Sequence, residues 1–227
     1  AVVLTAVPVA FFAAIRRAEM REWVDSSEAS LDHVEALGSF DDQPGYVQNH
    51  VMGVGTLKAG WLRTFTHAFA LWTIRLLTVR FFRPGFVLNM GTIHSARWWR
   101  LPGTRRALFF ANYDGSWESY LEDFITRVHP GQSASWSNWE GFPPTRYLIK
   151  DGAKDGDRFK RWVRTIQRTA PFWYTRFPTL TTDQIHANAL IHSGVARAQS
   201  QDEAEEWLRC FGSMPRIGIS RASPRRP

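Results

Sequence analysis

Cysteine is almost missing from this sequence. Cys210 stands alone, so these 227 residues can form no internal disulfide and no multi-cysteine metal site. Long apolar runs are missing too. The longest, "AVVLTAVPVAFFAAI", meets Arg16 and Arg17 after fifteen residues, short of the about 20 that a spanning helix needs. It also lacks the basic leading region and small-residue cleavage site of a signal peptide. Two expectations follow for it: the end of a transmembrane helix with "RRAEMR" as its cytoplasmic flank, or a buried N-terminal helix. No P-loop, dinucleotide fingerprint or G-x-S-x-G elbow occurs. Acids are the minority charge, 21 against 28 Lys and Arg for a net +7, which favours anionic partners such as phospholipid headgroups, nucleic acid or an acidic protein.

Aromatics, by contrast, are abundant: eleven Trp and 16 Phe. Trp is costly to leave in water, so this content implies a large core, a buried partner surface or a membrane interface. Four arginines fall among the last twelve residues, with two prolines. Residues 213–227 are therefore expected to form a disordered basic tail.

Periodicity supplies an order of elements. A helix is predicted over residues 5–25, followed by a short helix capped by Ser27 or Ser30 and ending at Gly38. "YVQNHVMGVGTL" reads as a strand. Residues 60–83, "GWLRTFTHAFALWTIRLLTVRFFR", carry the longest helical pattern, stopped by Pro84 and Gly85. Its arginines among Trp, Phe and Leu suit either a helix lying in a lipid interface or one covering a sheet with its arginines reaching out to water; the second is preferred. "GTIHSARWWRLP" and "RRALFFANYD" read as a hairpin turning at Pro102-Gly103-Thr104. "SWESYLEDFITRV" is a helix with Trp117, Tyr120, Leu121, Phe124 and Val128 on one face, and "SASWSNWEG" reads as a strand.

The order over residues 46–141 is β–α–β–β–α–β. It points to an α+β fold with a ferredoxin-like core, an antiparallel sheet with helices on one face, extended by helices at both ends. Beyond it come a short strand in "TRYLIKDGAKDGD", a basic helix "RFKRWVRTIQR" and an aromatic strand "PFWYTRFP". Two helices follow, opened by Thr181 with Gln184 and by Ser200 with Glu203. The expected organisation is an apolar juxtamembrane segment over 1–40, the α+β domain with its C-terminal helices over 41–212, and the tail.

"ANYDGSWESYLEDF" poses the sharpest chemical question. Asp114 stands where a strand gives way to a helix, which suits a cap on that helix. The functional alternative is a catalytic acid with Arg97 as its electrostatic partner, in a pocket holding a cofactor. His94 and Arg97 lie three apart on a strand and so face opposite sides unless a bulge intervenes. No metal site is expected. His186 and His192 are six apart on one helix, Asn188 with His192 is a weak ligand pair, and "DGAKDGD" places its acids at the wrong positions for a calcium loop, so it reads as solvated turn ahead of the helix after Asp157.

Five segments, "QNHVMGVGTLKAGWLR", "GTIHSARWW", "FANYDGSWESYLEDF", "SNWEGFPPTRYLIKDGAKDGDRFKRW" and "WYTRFPTLTTDQIHAN", cover about two thirds of the chain. Together they resemble a bacterial group of large membrane-anchored proteins associated with DyP-type (dye-decolorising) peroxidases. The resemblance implies a ferredoxin-like domain of dimeric α+β-barrel type. It does not imply peroxidase activity here. The peroxidases carry GxxDG with a distal Asp and Arg and a proximal His. This chain has Ala111 at the first Gly, no evident proximal His, and Ser95 where the group carries Phe.

The leading expectation is an accessory or structural subunit of a membrane assembly, membrane-associated and facing the cytoplasm, compatible with a homo-oligomer. Its contact surface would be Arg16, Arg17, Trp61, Arg63, Trp72, Arg75, Arg80, Phe81, Phe82 and Arg83. Nucleic acid is not the expected partner, because the basic "FKRWVRTIQR" comes without the usual binding motifs. The rivals are a haem-peroxidase-type oxidoreductase with Asp114 and Arg97 on the distal side, and a carrier or enzyme for a lipid-like ligand. The cofactor is left open: haem belongs only to the first rival and is not the favoured reading.

Overall fold

The computed structural model describes residues 2–22, 26–41, 43–81, 91–170, 172–195 and 200–211. The expected tail over 213–227, Phe82 and Arg83 lie outside the described residues. The chain divides into two compact units, Ala1–Thr182 and Asp183–Pro227.

The first unit is built on a four-stranded antiparallel sheet. Its strands are β1 (Gln48–Thr56), β2 (Ile93–Arg100), β3 (Arg106–Asp114) and a two-residue β6 (Gln167–Arg168), in the order β2-β3-β1-β6. β1 pairs with β3 without a break from Gln48↔Asp114 to Thr56↔Arg106. The hairpin joining β2 and β3 turns at Gly103, whose φ of 72° suits glycine. Alternation sorts the two faces. Ala107, Phe109, Ala111 and Tyr113 are buried on one side of β3, whereas Leu108 and Phe110 on the other are only partly covered.

The buried face is covered by α4 (Trp117–Arg127), α5 (His129–Trp136) and α6 (Gly156–Ile166). Tyr113 stacks on Tyr120 of α4 with centroids 3.8 Å apart, and Phe109 meets Trp136 of α5 at 5.0 Å. Trp136 also touches Trp139, Phe159 and Trp162 at 5.1 to 6.1 Å. The expected apolar face of α4 is buried at Trp117, Tyr120, Leu121 and Phe124. The expected basic helix is α6, which begins at Gly156 and buries Phe159, Trp162, Val163 and Ile166 on one face; Asp155 caps it by accepting from the Arg158 N–H. Its cations are occupied: Lys160 bonds Glu122 at 2.8 Å and Arg164 pairs with Asp41 at 3.1 Å while lying over the Trp117 ring.

Two predicted strands are absent. "SASWSNWEG" forms the end of α5 and a turn. Trp136 and Trp139 are three apart, which puts them on opposite faces of a strand but on one side of a helical turn, and both are buried. The fourth strand comes later in the chain, as β6 opposite Met52 and Gly53. Residues 172–178 of "PFWYTRFP" form no strand either. Side chains hold this segment: Gln48 Nε2 donates to the Phe177 and Leu180 carbonyls at 2.8 and 2.7 Å, and Trp173 stacks on His50. The predicted short strand in "TRYLIKDGAKDGD" is a small hairpin of β4 (Thr145–Arg146) and β5 (Lys150–Asp151).

Three more helices precede β2. α1 (Val2–Glu19) ends six residues earlier than predicted, and α2 (Leu31–Gly38) is capped by Ser30. α3 (Trp61–Phe81) does not cover the sheet as expected. Its buried residues are Arg63, Thr66 and His67, and the first two reach Asn138, just beyond α5.

The second unit holds α8 (Gln201–Leu208), opened by the predicted Ser200–Glu203 capping box, and α7 (Thr182–Val195) for all but its first residue. Within it the Trp207 indole N–H donates to the Ile191 carbonyl at 3.1 Å.

Candidate functional site

Asp114 does not cap the helix that follows it. Ser116 does, accepting from the Ser119 N–H, while Gly115 makes the turn at φ 81°. The Asp114 carboxylate is used elsewhere. Oδ1 lies 2.7 Å from His94 Nε2, and Oδ2 accepts from the Thr182 N–H at 2.8 Å. The register explains the histidine. β2 carries a bulge between Ile93 and Ser95, so His94 is the extra residue and reaches the end of β3.

Arg97 goes a different way. It pairs with Phe110, four residues from Asp114 along β3, a separation of roughly 13 Å, and its side chain is exposed. The structure therefore joins Asp114 to His94 rather than to Arg97. The acid–arginine pair that distal-side chemistry needs is not formed, so the residues present do not fit a haem site built on that pair. Asp114 instead fixes a strand end against a distant backbone N–H. Among the described residues no group of three or more His, Cys, Asp or Glu could hold a metal ion.

The expected contact residues divide sharply. Trp61, Trp72 and Phe81 are exposed, with Trp61 at 77%, and Arg17, Arg75 and Arg80 are exposed beside them. Arg16 is partly covered and donates to Glu19 and to the Thr145 carbonyl, both at 3.2 Å. Arg63 is a correction: it is 6% exposed, faces inward and is ion-paired with Glu22. Its place at the start of α3 sets it against α5, where an unpaired guanidinium would be costly and a carboxylate is needed.

The exposed side of α3 is apolar over several turns. Phe65, Phe69, Trp72, Leu76 and Val79 recur at helical spacing and are all open to solvent. Their rings form a continuous chain: Trp72 to Phe69 at 5.9 Å, Phe69 to Phe65 at 6.1 Å, and Phe65 to Phe11 of α1 at 6.1 Å. The chain then runs from Phe11 to Phe12 and on to Tyr147 at 6.0 Å. Contiguous exposed rings of this kind differ from the singly scattered apolar side chains usual at a protein surface.

Two carboxylates that the sequence reading passed over hold this arrangement together. Glu19 is buried at the end of α1. It accepts from the N–H groups of Tyr147 and Leu148 at 3.0 and 2.8 Å and from the Thr145 hydroxyl at 2.9 Å. Tyr147 and Leu148 both have positive φ, and their successive N–H groups form a concave anion seat that the carboxylate fills. Glu22 takes Arg63 on one oxygen and Lys58 on the other, the latter at 2.7 Å. Lys58 also donates to the Ser137 carbonyl at 2.7 Å, and burial lowers its pKa. One signal was present in the sequence: Glu19 follows Ile15 by four residues, and both are buried on the same helix face.

No family model matches this sequence, and no curated protein or solved structure matches the chain.

Proposed function

We propose that this chain is a membrane-associated accessory or structural module that meets a membrane or membrane-protein assembly through the aromatic side of α1 and α3. The observation that carries this reading is the unbroken chain of rings from Tyr147 through Phe12, Phe11, Phe65 and Phe69 to Trp72. No helix among the described residues is long and apolar enough to cross a membrane. The proposed contact is therefore a helix lying in the interface, with Arg75 and Arg80 available to headgroups and Arg16 and Arg17 toward the cytoplasmic side. Each of Phe65, Phe69 and Trp72 would gain about 2 kcal/mol on leaving water.

The sheet order β2-β3-β1-β6, with a helix between β1 and β2 and helices between β3 and β6, supports a ferredoxin-like topology within this reading. Kinship with the DyP-associated group is part of the same proposal and rests on the motifs alone.

The test is flotation with vesicles of phosphatidylcholine and phosphatidylserine, comparing the parent with a Phe65→Ser, Phe69→Ser, Trp72→Ser variant. Recovery in the vesicle fraction should fall by more than about a hundredfold. Equal recovery of the two proteins would remove α3 from any lipid contact.

A further inference from the structure

A cavity of about 690 Å³ opens beside the end of β1, within the range of roughly 300–1,000 Å³ typical of small-ligand sites. Its charge is unbalanced. Lys58, Arg63, Arg106 and Arg168 line it against two carboxylates, Glu22 and Glu140. Glu22 is shared between Lys58 and Arg63, so that partly buried cluster keeps an excess positive charge. Glu140 is bonded to Arg105 at 2.6 Å.

Arg106 and Arg168 have no carboxylate partner among the described residues. Arg168 donates only to the Thr165 and Gln167 carbonyls. Register puts both arginines on one face of the sheet, since Arg106 lies opposite Thr56 and Arg168 opposite Met52, and directly opposed residues share a face. The remaining wall includes Leu62 and the edge of Trp162, whose ring is otherwise buried.

We propose that this cavity binds the phosphate group of a phosphorylated ligand, with Arg106 and Arg168 as its main contacts and Lys58 completing the charge. A bound dianion balances the excess cation that the Lys58–Glu22–Arg63 cluster holds out of water. Guanidinium groups match phosphate oxygens with paired N–H donors. Burial lowers the Lys58 pKa, and although Glu22 opposes this, the net direction is downward, so a further anion beside it raises that pKa and draws in a proton. The site does not depend on lipid contact by α3: the Phe65, Phe69 and Trp72 serine variant retains it.

Titration calorimetry of the whole chain tests this with inorganic phosphate, glycerol 3-phosphate, and phosphatidylcholine vesicles with or without phosphatidic acid. The comparison protein carries Arg106→Gln and Arg168→Gln, both at exposed positions. Saturable binding of a phosphate compound should weaken by about ten- to a hundredfold in the double variant, with the ligand-free melting temperature unchanged. Binding at alkaline pH should also take up protons, read as heats that differ between buffers of different ionisation enthalpy. Binding of glycerol 3-phosphate identifies a soluble ligand. Binding only to phosphatidic acid vesicles, lost in the double variant, identifies a lipid headgroup. Equal affinity of parent and variant, or no binding of any phosphate compound, overturns the proposal.

Discussion

Trp136, Trp139 and Trp162 sit in one cluster, and Phe65, Phe69 and Trp72 in another. Both are runs of touching rings, yet one is buried and the other lies open to water. The difference lies in what surrounds each. The tryptophan cluster is walled by the sheet on one side and by α5 and α6 on the other, and it demands glycine at Gly55, where a Cβ would overlap the Trp139 ring. The α3 rings have one neighbouring helix, and their far side has no protein against it among the described residues. Aromatic content alone therefore does not reveal a core; the number of layers around it does.

That contrast sets the expected scale of four substitutions or conditions. Trp136→Ala should cost about 3–5 kcal/mol, read by chemical denaturation, because it opens the centre of the aromatic cluster. A loss below 1 kcal/mol would mean that the cluster is loosely packed.

Glu19→Ala should cost about 2–3 kcal/mol. It strips the buried acceptor from the Tyr147 and Leu148 N–H groups, whose amide hydrogen exchange should then speed up. Unchanged exchange at those amides would show that α1 is held by something other than this seat.

Acid should act more gently. Burial lowers the pKa of His50 and of His67, outweighing at His67 the opposing hydrogen bond with the Ser135 backbone. The folded state thus keeps both imidazoles neutral while the unfolded chain, with its ordinary pKa, takes up protons first. Stability is full above about pH 6.5 and is lost as pH falls through the lowered folded values. The melting temperature should fall on this side, and His67→Gln should flatten the slope. A melting temperature that rises on acidification would contradict the neutral assignment.

Smallest of all, Trp72→Ala should change stability by less than about 0.5 kcal/mol while lowering vesicle recovery. A loss as large as that of Trp136→Ala would place Trp72 in a packed environment and end the comparison.

Most elements were legible along the chain. The valines of β1, the β-branched and aromatic residues of the β2–β3 hairpin, the turn chemistry at Pro102-Gly103, and the apolar face of α4 are local signals, readable because composition, period and turn type depend on a few consecutive residues. The same locality misled at Trp136 and Trp139, where an apparent alternation read as strand although their spacing of three suits a helical turn. It also missed β6, whose two residues are too short to carry a period and exist only because Met52 and Gly53 lie opposite them.

The sequence by itself determined the α+β character, the Ser200 capping box and the amphipathic face of α4, since each follows from backbone preference and side-chain period, whereas the choice of Ser30 over Ser27 came from the folded chain. Tertiary structure alone decided the partners of the charges. Asp114 went to His94 through a bulge, Arg63 turned inward to Glu22, and Glu19 took two backbone N–H groups 128 and 129 residues away. A charge takes its partner from whatever the folded chain brings within about 3–4 Å, and sequence distance carries no record of that approach.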